Sequence, residues 1–346
     1  MYFLISSSIL IGFSIITFYY TLKNRSDKIE KKLFLNEIGL AILFFIAGIL
    51  FPFMIQFHSP ELPEFTLNIL WVITSIVFLF EIGVIGGYLF HNKLVSKKKP
   101  EIITENDYTT FCHDLKNSRN YNVKSDVGRK LLHLFTVVVI FSFWFLGLYL
   151  ESLGILKKIG GMDSYSFAFW LILTTGFAFV FMFHMADLAR LNAFYTLPKW
   201  AKNWYCKSMK DNEMETFVAS TPMVLAFVPF IFLPFPLFAA IALITTGADG
   251  AAAIIGMKYG KHKINENSDK TLEGYIAGAT TTFMIVIIMN LLFFSMMNLA
   301  ILKILLMGIL ATIIFLFVDA FFDNFCDNML NPILVGIGIW IIYSLF

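Results

Sequence analysis

The chain is dominated by apolar stretches of membrane-spanning length, separated by short charged loops. A bilayer core needs about 20 consecutive apolar residues per helix. Ten segments meet or approach that requirement: 2–20, 37–56, 66–90, 131–150, 164–186, 217–233, 235–256, 273–295, 299–318 and 329–346. Backbone polar groups in hydrocarbon must bond within their own segment, so these stretches can only be helices. The expected fold class is therefore all-α, a polytopic membrane helix bundle of about ten transmembrane segments. Composition agrees: 58% of the 346 residues are apolar, 14% are charged, and the mean hydropathy is +0.76. Soluble domains carry about 25% charged residues. A soluble globular enzyme, a disordered chain and a nucleic-acid binder are excluded on this ground. The least certain division is between 217–233 and 235–256, where Pro234 and Pro236 either separate two helices or kink one.

The basic residues give the orientation. Loops 21–36, 91–130, 187–216 and 257–272 hold 23 of the 26 Lys and Arg, whereas the even-numbered loops hold only Lys157 and Lys158. Positive-inside asymmetry puts the odd-numbered loops in the cytosol and the N-terminus outside. The opening Met1-Tyr2-Phe3-Leu4-Ile5 lacks a basic region ahead of its apolar run, so it reads as a first span and not as a cleavable signal. Cys112, Cys206 and Cys326 are odd in number with no CxxC spacing, which argues against a disulfide framework or a zinc site. The polar stretch 91–128 reads as a cytosolic linker. It divides an N-terminal three-span block (1–120) from the remainder (121–346).

Five polar clusters lie at the predicted cytosolic ends of spans. Arg129, Lys130 and His133 enter the fourth span, with Arg129 and His133 four apart on one helix face. Arg offers a fork that matches phosphate oxygens, and Lys a compact charge. Asp187 and Arg190, three apart, have the spacing of a helix ion pair at the end of the fifth span. Glu213 and Glu215 follow Met209 and Lys210 just before the sixth. The fourth cluster runs from Gly247 through Asp249, Gly256, Lys258, Gly260, Lys261 and His262 to Lys270, Thr271, Glu273 and Gly274. Asp249 is an ionisable group inside an apolar span, surrounded by Gly and Ala, and such a position points to function. Glycine turns beside lysines suit phosphates, because backbone N–H groups converge there without side-chain clash. This is not a Walker A loop, which needs four residues between its glycines and Ser or Thr after the Lys. The fifth cluster is Asp319, Asp323, Asp327, Asn328, Asn331 and Pro332. On a continuous helix the three aspartates fall on one face, where their repulsion favours a cation such as nucleotide-borne magnesium.

Taken together these motifs resemble the CTP-dependent lipid kinases: dolichol kinases, phytol kinases and CTP-dependent diacylglycerol kinases. The resemblance rests on Arg129-Lys130…His133, Asp249…Ala252, Gly256…Gly260-Lys261, Lys270-Thr271…Glu273-Gly274 and Asp327-Asn328…Pro332. Glu213 after Met209-Lys210 matches the family's Met-Arg-x-x-Glu element, with Lys in place of Arg. The similarity covers roughly 121–346. Tyr275 stands where the family usually has Ser, and Asp319 and Asp323 are outside the pattern. The resemblance implies CTP as phosphoryl donor and a long-chain alcohol as acceptor. A polyprenol such as dolichol is preferred over diacylglycerol, phytol or geranylgeraniol, because ten spans and an extra N-terminal block are more membrane than a minimal kinase core requires. Transfer of a γ-phosphoryl group needs charge neutralisation and positioning, which assigns Asp249 and Asp327 to magnesium and Arg129, Lys130, Lys258, Lys261 and Lys270 to the triphosphate. Gly256, Gly260, Thr271 and Asn328 complete the nucleotide-binding set. Glu273 and Glu213 are candidates for a second metal contact or for orienting a lysine, while His133, Asp187 or Glu213 takes the acceptor proton. The rival CDP-lipid synthases carry a His-Gly-Gly-x-x-Asp-Arg-x-Asp signature, and the Val318–Asp323 stretch lacks its glycine pair and its Arg. A transporter would place charges at mid-membrane, and Glu81 alone does so clearly here.

Overall fold

A computed structural model describes the chain except for Met1, residues 24–30, 119–122, 210–212, 265–269, 323–325 and Phe346. The elements are α1 (Leu4–Lys23), α2 (Lys31–Met54), α3 (Glu64–Lys98), α4 (Glu101–Glu105), α5 (Tyr108–Ser118), α6 (Val123–Ser152), α7 (Ile155–Lys158) and α8 (Ser164–Ala193). They continue with α9 (Lys199–Ser208), α10 (Ser220–Ala226), α11 (Phe235–Leu243), α12 (Asp249–Tyr259), α13 (Leu272–Leu292), α14 (Phe294–Met297), α15 (Ile301–Phe321) and α16 (Asp327–Leu345). Among the described residues there is no strand, only an isolated antiparallel bridge between Lys263 and Thr271. The molecule is an all-α polytopic membrane protein. Nine helices, counted over the described residues, are long and apolar enough to cross a bilayer.

The difference from ten lies at 217–233. That stretch forms the short α10 followed by a 3₁₀ turn over Val228–Phe232. Pro222 lies in the first turn of α10, and Pro229 opens the 3₁₀ turn. A proline removes a backbone donor and clashes with the preceding turn, so two within eight residues prevent a full-length helix. Pro234 caps α11, and Pro236 lies in its first turn. The helix then runs through a π turn, Ile244–Ala248, into α12 as one span, Phe235–Tyr259.

The chain divides into two compact units. Unit 1 comprises Met1–Tyr121 with Leu146–Leu225, and unit 2 comprises Asn122–Phe145 with Ala226–Phe346. In unit 1, α1 packs on α2 and α3 on α8. Burial of apolar surface from water does not drive association within lipid, so close packing and interhelical hydrogen bonds carry it. Ser6 bonds Ser75 at 2.9 Å, Ser14 donates to the Ala41 carbonyl at 2.7 Å, and Thr74 bonds Thr174 at 3.0 Å. Asp163 caps α8 by accepting from the Ser166 N–H at 2.7 Å, in a reciprocal capping box.

In unit 2, α13 packs on α12 and α15, and α15 packs on α16. The pattern on α15 shows why. Ile304, Met307, Ala311, Phe315 and Val318 are buried, while Leu302, Leu305, Ile309, Ile313 and Phe317 are exposed. Apolar residues on both faces suit a helix with protein on one side and lipid on the other. Trp144 stacks on Phe235 with ring centroids 3.9 Å apart, pinning the described part of α6 to α11 within this unit.

Candidate functional site

Unit 2 gathers motifs that are far apart in sequence. Lys130 on α6 and Asp249 at the start of α12 are 119 residues apart, and the Lys130 ammonium donates to Asp249 Oδ2. Both side chains are largely buried, at 8% and 18% exposure. The π turn just before Asp249 is the kind of local helix defect that recurs at functional sites. His133, one turn along α6 from Lys130, is also buried. Arg129 lies in α6, but its side chain is outside the described residues.

The glycine motifs and the Lys270-Thr271 motif meet through backbone contact. A Cβ on Gly274 would lie 2.8 Å from the Ala252 carbonyl oxygen, and one on Gly256 would lie 3.1 Å from Thr271 Oγ1. Only glycine permits this approach of α12 to the start of α13. Thr271 caps α13, its hydroxyl accepting from the Gly274 N–H at 3.2 Å. The turn after α12 is clipped to the same place. Leu272 N–H donates to the His262 carbonyl at 2.9 Å, and Ile264 N–H to the Lys270 carbonyl at 3.2 Å. Glu273 reaches back to this turn, with Oε1 2.8 Å from His262 Nδ1 and Oε2 accepting from the His262 N–H at 3.3 Å. Glu273 thus braces the lysine-bearing turn. Lys261 and Lys263 are exposed along it, and Lys258 is exposed in the last turn of α12.

The acidic cluster differs from its expected form. Asp319 and Asp327 do not share one continuous helix, because α15 ends at Phe321 and α16 begins at Asp327. Asp323 lies outside the described residues. Even so, Asp249 opens α12, Asp319 lies near the end of α15 and Asp327 opens α16, and these helices form one packed group, with α12 and α15 on α13 and α16 on α15. Lys270 donates to Asp319 Oδ1 at 2.9 Å and also to the Asp319 backbone carbonyl. Asn328 is buried, and its N–H donates to Asp327 Oδ1 at 2.8 Å.

Among the described residues no three His, Cys, Asp or Glu side chains form a ready-made metal centre. Magnesium that arrives with nucleotide phosphates is usually held by one or two carboxylates, its remaining ligands being phosphate and water. The hard-oxygen donors Asp249 and Asp327 fit that requirement.

Asp187 and Glu213 belong to unit 1, where they form a buried brace. The expected i,i+3 pair is present, with Arg190 Nε donating to Asp187 Oδ1 at 3.0 Å. Tyr205 donates to the same oxygen at 3.0 Å, and the Val218 N–H donates to Oδ2 at 2.8 Å. Both oxygens of Asp187 are therefore engaged. Arg190 is 0% exposed. Its remaining N–H groups reach the Tyr108 hydroxyl and the carbonyls of Glu213 (3.2 Å), Met214 (3.1 Å) and Thr216 (2.5 Å). Glu213 Oε1 accepts from the Ala219 N–H at 3.0 Å, and Thr216 donates to the buried Glu37 at 3.0 Å. Burial pushes the phenols of Tyr108 and Tyr205 above their usual range, so both remain donors at neutral pH. This geometry gives Asp187 and Glu213 the job of holding the 213–219 segment. Glu37, Tyr108 and Tyr205 were missed in the sequence, since nothing local marks them as partners of Thr216, Arg190 and Asp187, which lie 179, 82 and 18 positions away. Glu81 lies within α3, partly buried.

Comparison with family models, with curated proteins and with solved structures finds no match.

Proposed function

We propose that the protein is a CTP-dependent lipid-alcohol kinase. It transfers the γ-phosphoryl group of CTP to the hydroxyl of a polyprenol such as dolichol, with its nucleotide site in unit 2 facing the cytosol. The observation that carries this reading is the Lys130–Asp249 pair. It joins the Arg129-Lys130…His133 motif to the Asp249…Gly260-Lys261 motif within one unit; the Gly256–Thr271 contact adds the Lys270-Thr271 motif, and Lys270 in turn holds Asp319 near the end of α15. The cytosolic side is supported by the concentration of 23 Lys and Arg in the odd-numbered loops.

Phosphoryl transfer proceeds through a loose transition state, so it needs charge neutralisation and in-line positioning more than covalent help. The chain supplies lysines for the triphosphate: Lys130, Lys258, Lys261 and Lys270, with Arg129. Asp249 and Asp327 would hold magnesium, which when bound neutralises charge on the β- and γ-phosphates. Glycines 256 and 260 let backbone N–H groups approach the phosphates. His133 is the proton-acceptor candidate that shares a helix with Lys130. Within unit 1, Asp187 and Glu213 act by bracing the 213–219 segment.

The test is product identity. Purified protein in lipid nanodiscs is incubated with γ-labelled CTP or ATP and a panel of lipid alcohols. Label recovered in a lipid monophosphate, with CDP as co-product and CTP preferred to ATP, supports the proposal. Pyrophosphate release with a CDP-lipid, or no turnover with any alcohol, overturns it.

A further inference from the structure

Asp319 is not part of the motif set that suggested a kinase, yet it holds one of that set's lysines directly. It closes α15, while Lys270 precedes α13, 49 residues earlier. The Lys270 ammonium is held at two points, by Asp319 Oδ1 at 2.9 Å and by the Asp319 main-chain carbonyl. Two acceptors on one residue fix both the position and the direction of a flexible four-carbon side chain. Lys is a compact charge whose placement must come from its partners. The pair is neither fully solvated nor sealed, at 32% exposure for Lys270 and 22% for Asp319. Lys270 is therefore held where a solute can reach it. α12 and α15 both pack on α13, and α16 packs on α15, so Asp249 at the start of α12 and Asp327 at the start of α16 belong to the same packed group of helices as the Lys270–Asp319 pair.

We infer that Asp319 is a positioning residue that aims Lys270 at the phosphates of the bound nucleotide. This inference rests on the nucleotide-site reading of unit 2. Asp319 touches no reacting atom in it. Its carboxylate restrains the lysine before the nucleotide arrives, so that less side-chain freedom is lost on binding.

Two arms of one experiment test this, both on the full chain in nanodiscs. The first measures acylation of Lys270 by an amine-reactive ester, read by peptide mass spectrometry, and needs no nucleotide. Asp319→Asn is expected to raise the labelling rate of Lys270 severalfold and to leave exposed Lys258 unchanged. The second measures CTP kinetics for Asp319→Asn, Lys270→Ala and the double variant. Asp319→Asn is expected to raise KM for CTP about tenfold, the scale of one charge-assisted hydrogen bond, with kcat and magnesium half-saturation little changed. The double variant is expected to be no worse than Lys270→Ala alone, because residues acting through one contact are not additive. Asp319→Glu keeps the charge and is expected to recover part of the KM loss. Unchanged Lys270 labelling overturns the inference. So does additivity in the double variant, or a shifted magnesium dependence, which would make Asp319 a metal ligand. Failure of the nucleotide reading shows separately, as no CTP turnover by wild type, and leaves the labelling arm able to judge the contact.

Discussion

Replacing Arg190 with Met tests the brace in unit 1 most sharply. Met fills a similar volume but removes the positive charge and every donor. Asp187 would keep Tyr205 and the Val218 N–H, yet lose its counter-charge. Leaving one member of a buried ion pair behind costs about 3–5 kcal/mol. The carbonyls of Glu213, Met214 and Thr216 would lose their guanidinium donors as well; Met214 keeps the Tyr108 hydroxyl and Glu213 keeps the Thr216 N–H at 3.4 Å, so the Thr216 carbonyl bears most of this loss, about 1–3 kcal/mol before relaxation. Because the segment can relax, a loss of about 4 kcal/mol or more is expected. The double variant Asp187→Leu/Arg190→Met separates the two contributions. If the ion pair were the whole effect, apolar replacement of both partners would be close to neutral. The structure predicts a residual loss of about 2 kcal/mol, because the Thr216 carbonyl and the Val218 N–H belong to the backbone and stay, and the Tyr205 hydroxyl loses its acceptor. Arg190→Lys should fall between, since one ammonium cannot reach the carbonyls and Asp187 together. Stability is read by SDS titration in mixed micelles, and local opening by hydrogen exchange of residues 213–219. A single Arg190→Met variant within about 1 kcal/mol of wild type, with unchanged exchange in that segment, would refute the reasoning.

Other expectations follow from particular contacts. Gly274→Ala puts a methyl carbon 2.8 Å from the Ala252 carbonyl oxygen; it should cost about 1–3 kcal/mol and lower CTP turnover, and wild-type turnover in that variant would contradict the close approach of α12 and α13. Lys130→Met and Asp249→Asn should each reduce label transfer by at least about a hundredfold, with the double variant no worse than either, whereas multiplicative losses would mean the two act independently. Burial raises the Cys112 thiol above its usual range, so less thiolate is present at a given pH. Its alkylation should lag that of a free cysteine at pH 8 and catch up as pH rises through the elevated value; a peptide-like rate at pH 8 would contradict this.

The spans were legible because length and apolar content are local properties. Prolines 222 and 229 were equally visible but were outweighed by the hydropathy of 217–233, and that segment is the one that falls short of a span. The site was legible where chemistry is concentrated in short motifs, as in Gly256…Lys261 and Lys270…Gly274. The acidic cluster was legible only in part. The i,i+4,i+8 spacing assumed a continuous helix, whereas Asp319 and Asp327 lie on two separate helices, α15 and α16, that pack on each other. The pairing of Lys130 with Asp249, and of Glu37 with Thr216, depends on which helices pack together. No single stretch of sequence records that.

The central claim is that lysines from separate segments of unit 2 grip one cytidine triphosphate, and photolabelling tests it most directly. Full-length protein in nanodiscs is irradiated with an azido-CTP derivative and magnesium, and the adducts are mapped by mass spectrometry. The account predicts adducts in the peptides bearing Lys130, Lys258–Lys263 and Lys270, all suppressed by excess CTP. Adducts confined to other parts of the chain, or ones that excess CTP fails to suppress, would contradict it.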